Sequence, residues 1–92
     1  MGVTVKIPTQ LRAVTSGEAE TEADGATVGE VLDDLFDRYG ELRERICEDG
    51  TLRRFVNVYV GGEDIRFLSG LETEVSDGDE VTILPAVAGG AI

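Results

Sequence analysis

The chain contains no histidine and no tryptophan, and it has a single cysteine, Cys47. Without histidine, and with one thiol per chain, it cannot build a His/Cys zinc site, an iron–sulfur cluster, an internal disulfide or a histidine-based catalytic triad from its own residues. Cys47 as a reactive thiol is one hypothesis, but the acidic neighbours Glu44, Glu48 and Asp49 disfavour the thiolate. We therefore favour a partly buried thiol at the end of a helix.

Positive charge is also scarce. Lysine and arginine number 8 against 19 aspartates and glutamates, which gives a net charge of −11 and a pI near 4.2. Nucleic acid and anionic membranes are poor partners for such a chain, because phosphate contacts need clustered basic residues. A basic protein surface is the more natural partner. The sequence shows no secretion signal and no apolar stretch long enough to span a membrane, so we expect a cytoplasmic protein. The lack of histidine and of a phosphate-binding loop agrees with a chain that binds no metal and no cofactor of its own.

Residues 3–7 alternate apolar and polar side chains, as a half-buried strand does, and Pro8 ends the pattern. Leu11 is predicted to contact the core. After a turn at Ser16 and Gly17, residues 18–23 alternate glutamates with small residues, which predicts a charged edge strand. The two strands would form a hairpin.

A helix is predicted to begin at Thr27, since Thr27-Val28-Gly29-Glu30 matches a capping box. Gly40 would cap its C-terminus, and a second helical segment would cover residues 41–48, closed by Asp49 and Gly50. Apolar residues recur on one face of the main helix, which predicts a buried stripe. The stripe comprises Val28, Val31, Leu32, Leu35, Phe36 and Tyr39.

The second half of the chain is rich in strand signals. Residues 55–60 predict a central strand, with Val56, Val58 and Val60 on one face, and residues 65–67 predict a short strand after a turn at 61–64. Leu71 and Val75 are predicted to fill the core from a loop. A tight turn at 77–79 leads into the last strand, residues 80–84, in which Val81 and Ile83 share a face. This order predicts an α+β domain at residues 1–84, with four to five strands packed on one main helix.

Residues 85–92 carry no charge and include the pair Gly89-Gly90, so we interpret them as a tail. Extended, residues 85–90 reach about 20 Å, far enough to enter another protein's active site. Frayed glycine-rich termini are common, and the tail taken alone favours fraying; the rest of the chain reverses that preference.

Taken together, the sequence resembles the ubiquitin-like β-grasp sulfur carriers, the MoaD/ThiS family, and most of all the CysO-type carriers of actinobacteria. The resemblance spans nearly the whole chain. It is carried by the following segments: residues 3–8, 27–32, 55–60, 63–67, 77–81 and 83–90. It implies a β-grasp fold with a mixed sheet.

The resemblance also implies a function in which the chain is a protein cosubstrate and not an enzyme. An E1-like enzyme would recognise the tail through Val87, Ala88 and Gly89, and adenylate the carboxylate of Gly90 with ATP. A sulfur donor would then convert Gly90 into a thiocarboxylate. In cysteine biosynthesis that sulfur attacks an aminoacrylate held on pyridoxal phosphate in a cysteine synthase, and a JAMM-type metalloprotease releases the product.

Members of the family that act directly end at the second glycine, whereas Ala91 and Ile92 follow Gly90 here. The hypothesis is a proform that is cleaved between Gly90 and Ala91, by a JAMM-type protease of the same pathway. The alternatives are that the two residues make the chain inactive as a carrier, or that they are not native to it.

Other functions remain open at this point. The chain could instead be a ubiquitin-like modifier attached through Gly90, the small subunit of molybdopterin synthase, a carrier for thiamin or secondary metabolites, or a non-covalent binding module. Phe67 and Leu68 could form an apolar docking patch for the activating enzyme or fill the core, with no preference between the two. Acidic residues could steer a basic partner or be a solvated surface. These are Glu72, Glu74, Asp77, Asp79 and Glu80.

Overall fold

Seven strands are present in the computed structural model, which describes residues 2–48, 51–52 and 56–85. They are β1 (Val3–Lys6), β2 (Glu20–Ala23), β3 (Cys47–Glu48), β4 (Thr51–Leu52), β5 (Val56–Val60), β6 (Glu63–Asp64) and β7 (Glu80–Pro85). Five of them form one mixed sheet in the order β2-β1-β7-β5-β6, and β3 pairs with β4 separately. Within the large sheet β1 and β7 run parallel and every other pair is antiparallel. The predicted α+β fold is confirmed.

The described residues include two α-helices, α1 (Val28–Arg38) and α2 (Gly40–Ile46), which accompany the sheet. Short 3₁₀ helices lie in the connections, at Thr9–Leu11, Ile65–Phe67 and Gly70–Glu72. Helix α1 begins as predicted: the Thr27 hydroxyl accepts a hydrogen bond from the Glu30 N–H at 3.2 Å, and the Glu30 carboxylate accepts one from the Ala26 N–H at 2.9 Å. The capping box thus ties the start of the helix to the residue before its N-cap.

One core lies between α1, α2 and one face of the sheet. The predicted stripe of α1 is buried from Val28 to Phe36, and Tyr39 is half-buried against the same core. The other predicted core contacts hold too, since Leu11 and Val75 are buried and Leu71 is partly buried. The sheet contributes alternate residues of its strands: Val3, Val5, Val56, Val58, Val81 and Ile83. The apolar side chains that recur every second residue on the strands and every 3.6 residues on the helix therefore pack together in one layer.

Two helix predictions were wrong at their ends. The C-cap of α1 is Tyr39 and not Gly40. The Tyr39 N–H donates a hydrogen bond to the Leu35 carbonyl at 2.9 Å, and Gly40 is the first residue of α2. The second helix ends at Ile46 and not at Glu48, because Cys47 adopts an extended backbone and starts β3. The predicted closing turn, Asp49 and Gly50, lies outside the described residues, as does Phe55.

The short strand predicted at residues 65–67 is also misplaced. The strand is β6, at Glu63–Asp64, and the next three residues form a 3₁₀ helix. The physical reason is a side-chain cap: the Asp64 carboxylate accepts a hydrogen bond from the Arg66 N–H at 2.8 Å, which turns the chain instead of extending it. Gly61 and Gly62 both have positive φ, so the reversal from β5 into β6 needs two glycines.

Candidate functional site

The last strand, β7, delivers the chain to the predicted tail. It lies between two partners, pairing in parallel with β1 over residues 80–82 and antiparallel with β5 over residues 81–85. Val81 and Ile83 are completely buried, as predicted from their common face. The strand starts at a tight turn where Gly78 has a φ of 90°, and the Asp79 carboxylate accepts a hydrogen bond from the Ser76 N–H at 2.9 Å. A tail that leaves from Pro85 is therefore held at its root by β5, while β1 pairs with the start of the same strand.

The residues predicted to bear the chemistry lie outside the described residues. These are Val87, Ala88, Gly89, Gly90 and Ala91, together with Ile92. Tail recognition, sulfur attachment at Gly90 and cleavage before Ala91 therefore stay predictions.

Phe67 and Leu68 are exposed to solvent and do not fill the core. Phe67 is 86% exposed and Leu68 is 41% exposed, whereas Ile65, two residues earlier, is 1% exposed. An exposed phenylalanine of this degree is uncommon in folded proteins, and a contiguous apolar patch often marks an interaction site. Of the two interpretations that the sequence left open, exposure holds; its purpose remains a proposal.

The face of the large sheet that points away from the helices is open. Leu84 lies on it at the root of the tail and is 45% exposed, opposite the half-buried Asn57 of β5. Further along the same face Tyr59 lies opposite Thr82. Sequence alternation predicts which residues leave the core, but not that this face stays uncovered.

Lys6 is the one lysine of the chain, and it lies on this open face between two carboxylates. Its Nζ is 3.3 Å from a carboxylate oxygen of Glu80 on β7 and 3.7 Å from one of Glu20 on β2. The sequence could not have paired them without the register, in which Lys6 lies opposite Glu20 and Thr82.

The acidic residues predicted as a steering surface are divided by the structure. Asp79 is engaged in its own turn and Glu80 in the ion pair with Lys6. Glu72, Glu74 and Asp77 are exposed, and none of the ion pairs seen in the described part of the chain involves them. Of the predicted steering residues, Glu72, Glu74 and Asp77 are therefore the ones that are exposed and not engaged in an ion pair or turn among the described residues.

Cys47 is half-buried, as expected for a thiol at the end of a helix. It lines a shallow groove of about 150 Å³ beside α1, whose other lining residues are Gly29, Leu32, Asp33, Phe36 and Leu71. Sequence patterns missed this groove, because it depends on a loop packing onto the helix. A Cβ on Gly29 would lie 3.2 Å from the Leu71 carbonyl oxygen, so a glycine permits the close approach.

Within residues 2–48, 51–52 and 56–85, no three His, Cys, Asp or Glu side chains are grouped so as to hold a metal ion. Nor does that part of the chain contain a helix of the length and apolarity needed to cross a membrane.

The comparisons with known proteins agree across the chain. The ThiS family model matches residues 5–90. The sulfur carrier protein CysO of Mycobacterium tuberculosis is 53% identical over 93 residues, covering 98% of this chain and all of that protein.

Solved structures are also similar to this chain over nearly its whole length. A BexX/CysO complex from Amycolatopsis orientalis contains a chain with a TM-score of 0.90 and 56% identity, covering 97% of this chain and all of that one. The small archaeal modifier protein 1 of Methanosarcina acetivorans has a TM-score of 0.84 and 39% identity, covering 96% and 95%. The β-grasp fold and the predicted resemblance are thereby confirmed, and the chain belongs to the ThiS family of ubiquitin-like sulfur carriers.

Proposed function

We propose that the chain carries sulfur on Gly90 as a thiocarboxylate, after Ala91 and Ile92 have been removed. The observation that carries the proposal is the placement of β7. A strand that lies between β1 and β5, and that stays paired with β5 as far as Pro85, passes into an uncharged segment with two glycines, and the family match extends to residue 90. In this proposal the partner enzymes bind the folded domain, and the tail enters their active sites.

The chemistry consists of two substitutions at the carboxyl carbon and phosphorus. A carboxylate oxygen of Gly90 attacks the α-phosphorus of ATP, and pyrophosphate leaves. A sulfur donor then attacks the acyl carbon of the adenylate, and AMP leaves with the bonding electron pair. The product is a thiocarboxylate, a nucleophilic sulfur held by one carbon. The ATP site belongs to an E1-like activating enzyme, because the carrier supplies only the carboxylate.

We place the sulfur in cysteine biosynthesis. The relative from M. tuberculosis is named CysO, and the relative from A. orientalis was solved in complex with a protein named BexX, so members of this family do engage partner proteins. The acceptor would be a cysteine synthase whose pyridoxal phosphate holds an aminoacrylate. The proposed protease for the bond between Gly90 and Ala91 is a JAMM-type metalloprotease.

Intact mass spectrometry of the chain from its native host tests the proposal. The expected species lacks Ala91 and Ile92 and has one oxygen replaced by sulfur, and alkylation of the thiocarboxylate should shift that species alone. In vitro, a chain ending at Gly90 should form it with the activating enzyme, ATP and sulfide, whereas chain 1–92 should not. Only full-length chain in cells that assimilate sulfur would contradict the proposal.

A second candidate is a protein modifier joined through Gly90 to lysines of other proteins. The observation in its favour is the structural similarity to an archaeal modifier protein over 96% of the chain. Tryptic digests would separate the two functions. Tail-derived residues in isopeptide linkage on other proteins indicate a modifier, and a thiocarboxylate without such linkages indicates a carrier.

A further inference from the structure

The turn that bears Phe67 is fixed from both sides. Before it, the buried side chain of Ile65 anchors the 3₁₀ helix, and Asp64 caps the Arg66 N–H at 2.8 Å. After it, the Leu68 N–H donates to the Ile65 carbonyl at 2.9 Å. A side chain presented by a turn already ordered in the free protein loses little conformational entropy on binding.

The loop that follows is held as well. The Ser69 N–H donates to the Thr73 hydroxyl at 3.0 Å, and Thr73 is buried. The Thr73 carbonyl accepts a hydrogen bond from the Val28 N–H at 2.9 Å, which ties the loop to the first turn of α1. Phe67 and Leu68 are thus exposed by a rigid part of the fold and not by a loose one.

Along segment 61–79, which bears the patch, the charge that is left uncompensated has one sign. Arg66 is the only basic residue of segment 61–79, and its guanidinium is 3.2 Å from the Asp64 carboxylate, which compensates it. Glu63, Glu72 and Glu74 are exposed, and none of the ion pairs found among the described residues includes them. An apolar group on an acidic segment, whose glutamates are here called the charge surround, is complementary to an apolar pocket with a basic rim.

The composition of the tail adds a reason for a second contact. Residues 86–90 are alanine, valine and glycine, which bury little apolar area, so tail insertion alone supplies little affinity. Binding the domain and the tail to one enzyme makes tail insertion intramolecular and raises its effective concentration.

We propose that Phe67, supported by Leu68, docks into an apolar pocket bordered by arginine or lysine side chains on the enzyme that activates the carboxyl terminus. This inference rests on the proposed function, because it takes that enzyme as the partner. Phe67 is the anchor, and the glutamates of the loop accelerate encounter and orient the complex.

Direct binding to the host's activating enzyme, measured by calorimetry on chain 1–92 without ATP, tests the anchor. Phe67→Ser should raise Kd by about 10-fold to 100-fold, the loss expected when a buried phenylalanine contact is removed. Phe67→Leu should retain most of the affinity because it remains apolar. Both variants should keep the melting temperature of the parent, since the side chain is 86% exposed.

The charge surround has its own matched pair. Glu72→Lys should slow association several-fold at low salt, and Glu18→Lys, which makes the same charge change at the far turn before β2, should slow it less. Equal effects of the two reversals would reduce the surround to net charge alone and would overturn that part of the proposal.

ATP–pyrophosphate exchange on chains ending at Gly90 distinguishes the docking inference from the proposed function. Exchange that Phe67→Ser leaves unchanged, together with unchanged Kd, overturns the docking surface and leaves the carrier function intact. Phe67-dependent binding without exchange overturns activation of Gly90 and leaves the docking surface. A loss of affinity in Leu84→Ala with none in Phe67→Ser would move the interface to the open sheet face and overturn the proposal.

Discussion

The two faces of the large sheet differ in burial and in polarity. On β7, Ile83 points into the core and is fully buried, while Leu84, the next residue, points to the open face and is 45% exposed. On β1, Val5 is fully buried and its neighbour Lys6 is held between two glutamates. One face is therefore mainly apolar and packed, and the other, among the described residues, combines ion pairs, half-buried polar groups and the exposed Leu84.

Most of the stability of the carrier therefore comes from the packed face of the sheet. Burial of apolar area is the dominant favourable term in folding, and here it lies between the helices and one face of the sheet. The open face and the Phe67 turn contribute little burial, so substitutions there can change binding without changing the fold. The predictions below test how complete that separation is.

The largest effect is expected from the neighbouring pair on β7. Ile83→Ala should lower the free energy of unfolding by about 3 kcal/mol, because it removes buried methyl groups and leaves a cavity. Leu84→Ala should change it by less than about 0.5 kcal/mol, since that side chain is half in water already. Urea denaturation of both variants measures the difference. Comparable losses would mean that the open face is packed in solution, against a second molecule or against the tail.

Much of this arrangement could be predicted from the sequence, where local patterns were sufficient. The start of α1 at Thr27, the buried stripe down to Phe36, and the alternation on β7 follow from side-chain chemistry over a few residues. The glutamate-rich edge strand was also predicted, although it begins at Glu20 and not at residue 18. In each case the sequence pattern covers the same few residues as the structural feature that it predicts.

Other features required contacts between distant residues. Whether Phe67 was buried depended on how the Asp64 cap turned the chain, and Lys6 acquired its partners only from the strand register. Gly40 was assigned as a cap because glycine commonly ends helices, but its place is the first turn of α2. The tail chemistry was predicted from the family resemblance, since no local pattern in two glycines specifies sulfur.

The second prediction concerns the helix that covers the packed face. Thr27→Ala removes the hydroxyl that accepts from the Glu30 N–H, and should cost about 1 kcal/mol of stability. Thr27→Ser keeps the acceptor and should cost less than half as much. Thermal and urea unfolding compare the two. A large loss in the serine variant would mean that the threonine methyl, and not the cap, stabilises this end of α1.

The third prediction concerns the polar contacts of Arg38 and Asp34 that join α1 to the edge of the sheet, here called the clasp. Arg38 donates a hydrogen bond to the Glu22 carbonyl of the edge strand and lies 3.6 Å from the Asp34 carboxylate. The same carboxylate accepts a hydrogen bond from the Asp24 N–H at 3.0 Å. Arg38→Met should cost somewhat under 1 kcal/mol and expose part of an unpaired strand edge.

Self-association is the more specific consequence of losing the clasp. Sedimentation at rising concentration should detect it in Arg38→Met and not in Arg45→Met, which loses only a surface ion pair with Glu41 at 3.4 Å. If both variants stay monomeric, the glutamates of β2 suffice to block edge pairing without the arginine.

The smallest effect is expected on the open face. Lys6→Met removes the ion pairs with Glu20 and Glu80, and should lower stability by less than about 0.5 kcal/mol, because the lysine side chain is 44% exposed and water screens the charges. Lys6→Arg should be neutral. The loss should shrink further in high salt, which screens exposed pairs most strongly. If Lys6→Met instead costs as much as Thr27→Ala and the loss persists in salt, then the aliphatic stem of Lys6 packs on the sheet, and the open face contributes to folding as well as to contact with partners.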